Sequence, residues 1–161
     1  KRQGNTVTVT EILNGSVKPE NKNICVIGSG MTGLETSELL CELGNKVTIV
    51  EMADSIAPGA WFQSVDDALP KLKEANTKFL TSTKLKSING KSITAIDLIH
   101  NKEIEIPYDM VVLSMGVKPD NSLFEEIKND YKFVFNIGDS NKTGRIHNAT
   151  EDAYNIVKSI K

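Results

Sequence analysis

The sequence predicts an α/β protein: a mainly parallel sheet with helices between its strands and an antiparallel β-meander in the second half, stacked as a three-layer sandwich. Three observations carry this. Strand-length apolar runs alternate with runs of helical spacing from Asn23 to Asn76, three glycines occupy the first strand-to-helix seam, and short alternating segments follow one another from Lys84 to Pro107.

Taken in order, "TVTVT" (Thr6–Thr10) alternates strictly and predicts a half-buried strand. "LNGSVKPENKN" has the composition of a hinge. Ile24–Ile27 is a short β-branched strand ending at Gly28. From Met31 to Leu43, the residues Leu34, Leu39, Leu40 and Leu43 fall near helical spacing, and Gly44 suits a C-terminal cap. "KVTIVE" (Lys46–Glu51) completes a βαβ unit of the size a right-handed crossover needs. "SVDDALPKLKEAN" predicts a helix opened by Ser64, with a kink at Pro70. "TKFLTS" reads as a strand. "KLKSIN", "SITAIDL" and "KEIEIP", joined by turns at Asn89-Gly90 and Asn101, predict the meander. "DMVVLSMG" is continuously apolar, as a central parallel strand should be. A short helix in "NSLFEEIKN", a strand in "YKFVFNIGD" and a helix in "NATEDAYNIVKSI" close the chain.

Composition narrows the functions open to it. Apolar residues make up 39% of 161 and charged residues 25%, an ordinary globular balance. A net charge of −2, with Lys and Arg dispersed, argues against nucleic acid as a partner. No apolar run is long enough for a membrane span, and the start "KRQGNTVTVT" has no signal-peptide h-region. The start without Met points to a piece of a longer protein. Cys25 and Cys41 belong to no CxxC or metal cluster, which leaves two buried reduced thiols and excludes disulfide-reductase chemistry within this chain. They favour a reducing, cytoplasmic compartment.

The chemistry lies in "NICVIGSGMTGLETSE". Gly28-x-Gly30-x-x-Gly33 follows a strand and opens a helix, where a dinucleotide-binding, Rossmann-like fold carries its fingerprint. Gly28 allows the sharp turn, Gly30 lets backbone approach a pyrophosphate, and Gly33 lets the helix pack on the strand. The helix N-terminus adds unpaired N–H groups and a positive dipole end. Glu51 closes the second strand about twenty residues on, where an acid accepts hydrogen bonds from the adenosine ribose. Its charge would repel a 2′-phosphate and "MADS" offers no neutralising base, so NAD(H) is favoured over NADP(H).

With these motifs, the stretches "VIGSGMTGLETSELLCELGNKVTIVEM", "LKEANTKFLTSTKLKSING", "YDMVVLSMGVKPDNSLFEEI" and "FNIGDS" resemble the two-dinucleotide-binding-domain flavoprotein reductases of the FAD/NAD(P)-dependent pyridine nucleotide oxidoreductase superfamily. The "EM" after the second strand and the later "IAPG" look most like the C-terminal reductase part of the old-yellow-enzyme-type NADH:flavin oxidoreductases, the 2,4-dienoyl-CoA reductase and trimethylamine dehydrogenase group. The resemblance implies that residues 23–130 form the NAD(H)-binding domain. Residues 1–22 would be the flanking strand and hinge of a truncated FAD-binding domain, and residues 131–161 its C-terminal strand and helix. FAD would bind in the intact protein only, and FMN and an iron–sulfur cluster would lie in missing domains of the same chain.

Residue by residue, the resemblance places Gly28, Ser29, Gly30, Met31, Thr32 and Gly33 in the pyrophosphate loop. It sets Glu35 near the nicotinamide, as an alternative to a first-turn acid complementing the helix dipole. Met115 and Gly116 match the segment where backbone approaches nicotinamide or flavin, with Asp120 standing where the family's pattern has Asn. Gly138 and Asp139 match the second FAD signature, and residues 145–150 the helix start facing the flavin. His147 and His100 read as surface residues, and no catalytic side chain is expected. The rival reading is a structural nucleotide-binding module holding ADP or NAD without hydride transfer. A free-standing dehydrogenase ranks last, because no tyrosine-lysine or histidine constellation is present.

Overall fold

The computed structural model describes residues 5–160, which form two compact units, residues 5–116 and 117–160. The first unit is built on five parallel strands in the order β1-β8-β2-β3-β4: β1 (Thr6–Thr8), β2 (Asn23–Ile27), β3 (Lys46–Val50), β4 (Lys78–Leu80) and β8 (Met110–Leu113). Strands β5 (Thr83–Asn89), β6 (Ser92–Asp97) and β7 (Lys102–Pro107) form a separate antiparallel sheet, as expected for the meander. Gly90 (φ +55) and Asn101 (φ +49) supply the left-handed turn residues predicted there.

Strand alternation sorts the core into two layers. Ile24 and Val26 of β2, Val47 and Ile49 of β3 and Val112 of β8 pack with Leu34, Leu40, Ala68 and Leu72 from the helices α2 (Met31–Glu42) and α3 (Phe62–Glu74). On the other face Cys25, Ile27, Val50 and Val111 pack with Ile93 of the meander and with Tyr108. Helices, parallel sheet and meander are thus the three layers of a Rossmann-like fold. Lys71 joins the two helices, its Nζ lying 2.8 Å from Glu38 and 2.9 Å from Asp67.

Four local expectations change. The strand at Thr6 stops at Thr8, and Val9–Leu13 form a short helix, α1. Thr8 caps it, accepting from the Glu11 N–H while its own N–H donates to the Glu11 carboxylate at 2.8 Å; this capping box outcompetes the β-alternation. Helix α3 starts at Phe62, ahead of Ser64, and runs through Pro70. In the second unit Tyr131–Ile137 is not a strand: no described strand pairs with it, and a lone strand has no ladder. The last helix, α5 (Ile146–Ser159), begins two residues before Asn148, whose side chain caps the Arg145 N–H at 2.9 Å. Helix α4 (Ser122–Ile127) is where expected.

Candidate functional site: a glycine-lined cleft at the strand ends

From β2 the chain steps outward to β3 and β4, then returns through the meander to β8 on the other side of β2. The C-terminal ends of β2 and β8 are therefore the switch point, where open α/β sheets place ligands. Gly28–Gly30 leave β2 there, and Ser114–Gly116 leave β8.

The three glycines have different neighbours. At Gly28 (φ +99) a Cβ would lie 2.3 Å from the Ser114 carbonyl oxygen. At Gly33 it would lie 2.3 Å from the Gly28 carbonyl oxygen and 3.0 Å from Ser114 Oγ. At Gly30 it would meet nothing within 4 Å. Gly28 and Gly33 are required by the protein's own backbone, while Gly30 is exposed at the N-cap of α2, which no side chain caps. Open space at Gly30 beside first-turn N–H groups that no side chain caps is an anion-binding arrangement.

Glu51 fixes the loop. Its Oε2 accepts from the Ser29 N–H and hydroxyl, both at 2.8 Å, and its Oε1 from the Ala53 N–H at 2.8 Å. Partial burial raises the carboxyl's pKa, but the hydrogen bonds from Ala53, Ser29 and Met52 together outweigh it and hold Glu51 below the ordinary glutamate value. Ser29 is fully buried and its hydroxyl also accepts the Ala57 N–H at 3.0 Å. It therefore braces the loop and offers neither its side chain nor its N–H to a ligand.

These groups open on a cleft of about 470 Å³ lined by Gly28, Gly30, Glu51, Met52, Lys84 and Met115 among others. Gly116 (φ +75) follows with open space beside it. Met31 and Glu35 line a separate groove between α2 and α3, and Thr32 is exposed on α2. Gly138 and Asp139 belong to the other unit, where Asp139 shares a shallow cleft with Arg145, Ile146 and Thr150 and accepts the Gly144 N–H at 3.0 Å. His100 is exposed and bonds Asp97 at 2.7 Å; His147 is exposed in the first turn of α5. Sequence reasoning missed Ser114 and Lys84. The small residue before Met115 hinted at the first; the second arrives from β5 and has no local signature.

A three-layer Rossmann-like fold with a glycine cradle at its switch point defines a dinucleotide-binding domain. Residues 1–153 match the family described as pyridine nucleotide-disulphide oxidoreductase, and the chain belongs to that family. Over 149 residues it is 32% identical to a bilirubin reductase of Mediterraneibacter gnavus, covering 89% of this chain and 22% of that protein. It is 30% identical over 130 residues to a dihydrolipoyl dehydrogenase of Acholeplasma laidlawii, covering 78% and 36%. The chain thus spans about a fifth to a third of the length of these relatives. In fold it is similar to a histamine dehydrogenase from Rhizobium sp. 4-9 (TM-score 0.82, 18% identity, all of this chain and 27% of that one). A 2-naphthoyl-CoA reductase structure is similar too (TM-score 0.81, 22% identity, 99% and 24%).

Proposed function

We propose that this chain is the NAD(H)-binding part of a flavin-dependent NADH oxidoreductase and positions NADH for hydride transfer to FAD. The observation that carries the reading is the open space at Gly30, beside an uncapped helix N-terminus and a loop braced by Glu51. A diphosphate fits there: its charge suits the α2 N–H groups of Met31, Thr32 and Gly33, and bare backbone at Gly30 allows close approach. Glu51 Oε1 accepts from the Ala53 N–H, and a second lone pair there gives it accepting capacity for a ribose hydroxyl. Its charge favours NAD(H), and Lys84 in the same cleft is the basic group that moderates this preference. Met115 and Gly116 would flank the nicotinamide end. When bound, NADH supplies the hydride and FAD accepts it, while the protein contributes orientation.

On this reading residues 1–22 and 131–161 belong to an interrupted FAD-binding domain, with Gly138 and Asp139 on the FAD side. The old-yellow-enzyme-type subgroup, with FMN and an iron–sulfur centre elsewhere in the chain, is the extension that the resemblance carried by "EM" and "IAPG" suggests. One observation favours the rival ADP-holding module: Glu35, expected beside the nicotinamide, lines the α2–α3 groove and not the cleft. Calorimetric titration with NADH and with ADP separates the two. Tighter binding of NADH, with nicotinamide-dependent perturbation of Met115, supports the reductase; equal affinities without that perturbation refute it.

A further inference from the structure

The meander-facing side of the parallel sheet is not uniformly apolar. Register aligns Ile27, Val50 and Leu80 in one row across β2, β3 and β4, Cys25, Thr48 and Lys78 in the next, and Asn23 with Lys46 in the last. The first row is core, packed under the meander. The other two line a cavity of about 520 Å³ at the N-terminal edge of the sheet, larger than the glycine-lined cleft and at the opposite end of the same strands.

Two of its lining residues, Lys46 and Lys78, are diagonal neighbours on one face, and like charges so placed repel. Among the described residues neither makes an ion pair. Asp109, the one carboxylate in the lining, is taken by Asn23, accepting its N–H at 2.8 Å and its side-chain amide at 2.9 Å. Tyr108, 6% exposed, also lines the cavity, and its buried hydroxyl has no hydrogen-bond partner. That hydroxyl is sealed off within the core cluster of Cys25, Val50 and Val111, so it lies out of a ligand's reach.

We propose that this cavity is a second ligand site, for a phosphate monoester with an apolar or aromatic body. The dianionic head lies between Lys46 and Lys78, and the body lies against Ile106 and the Tyr108 ring. Two cations on one face match a double negative charge, and lysine ammonium groups bind phosphate as point charges. Asn23 and Cys25 lie on β2 ahead of the glycine loop, so occupancy here is separable from nucleotide binding at Gly30.

The test is an amide chemical-shift titration of the full chain with phenyl phosphate, benzoate and inorganic phosphate. Phenyl phosphate should give saturable shifts at Asn23, Cys25, Thr48, Lys78 and Tyr108 and none at Gly28 or Gly30. Benzoate should bind more weakly, and inorganic phosphate most weakly. Lys46 and Lys78 are both exposed, so Lys46→Gln/Lys78→Gln should keep the rest of the spectrum and weaken phenyl phosphate by at least about tenfold. Tyr108→Phe keeps the ring and removes only the sealed hydroxyl, so it should leave the affinity within about twofold. Absence of saturable shifts at millimolar phenyl phosphate overturns the proposal, as does equal affinity for benzoate, undiminished binding to the double variant, or shifts confined to the Gly28–Gly33 loop.

Discussion

Replacing Gly30 with valine tests the site most directly, because the structure separates its effect on folding from its effect on binding. Gly30 has φ −56 and ψ 169, a conformation open to any residue, and a Cβ there meets no atom within 4 Å. The cost to the fold is therefore the poorer N-cap preference of a β-branched residue, about 1 kcal/mol or less. The cost to a diphosphate is larger, since the isopropyl group would occupy the space through which phosphate oxygens reach the α2 N–H groups. One hydrogen bond to a charged group contributes about 1.5–3 kcal/mol, so losing two corresponds to more than about a hundredfold in Kd. Calorimetric titration with NADH should show that loss, while thermal melting changes by only a few degrees. NADH affinity within about threefold of the parent protein would refute the assignment, since 1.4 kcal/mol is tenfold. A collapse in stability would instead make Gly30 a packing glycine.

Gly28→Ala and Gly33→Ala should do the reverse of Gly30→Val, lowering the melting temperature strongly, because each Cβ would lie 2.3 Å from a carbonyl oxygen; unfolding midpoints check this. Glu51→Gln should narrow the preference for NADH over NADPH and lower stability at neutral pH. A carboxylate whose folded-state pKa is depressed contributes stability above its unfolded value and loses it as pH falls through the folded-state value, so urea midpoints of parent and variant should start to converge below the unfolded value of about 4.3 and meet once pH has passed the lower folded-state value. Cys25, whose thiol burial pushes up to about 11, should resist thiol reagents at pH 8 in the native protein and react once urea unfolds it. Pro70→Ala restores a backbone donor inside α3 and should stabilise by about 1–3 kcal/mol, read from the same urea midpoints.

What was legible in the sequence was whatever short-range periodicity controls. The βαβ unit, the meander with its turns at Gly90 and Asn101, and the buried strand at Met110–Leu113 all carry patterns that burial enforces locally. Thr6–Thr10 misled because alternation and a capping box share the same residues, and the box wins when Glu11 reaches back to Thr8. Tyr131–Ile137 misled because strand identity needs a partner, which no local pattern supplies. The resemblance places Ser29 in the pyrophosphate loop, and what its side chain touches is Glu51 and Ala57; pairs far apart in sequence have no signature when each member looks ordinary by itself.

The glycine motif shows where such reading stops. Gly28, Gly30 and Gly33 are identical letters, and nothing local says which of them the fold needs and which a ligand needs. The distinction comes from β8, whose final turn brings the Ser114 carbonyl and hydroxyl against the first and third glycines and leaves the second uncovered. Two glycines are thus explained without any ligand. Only the remaining one speaks for a bound anion, and it does so because Gly30 lies beyond the paired ends of β2 and β8, uncovered at the uncapped start of α2. The strength of a glycine-rich fingerprint as evidence of function therefore lies in the strand that returns beside it, and a chain with the same three glycines but no such strand would need them for a different reason.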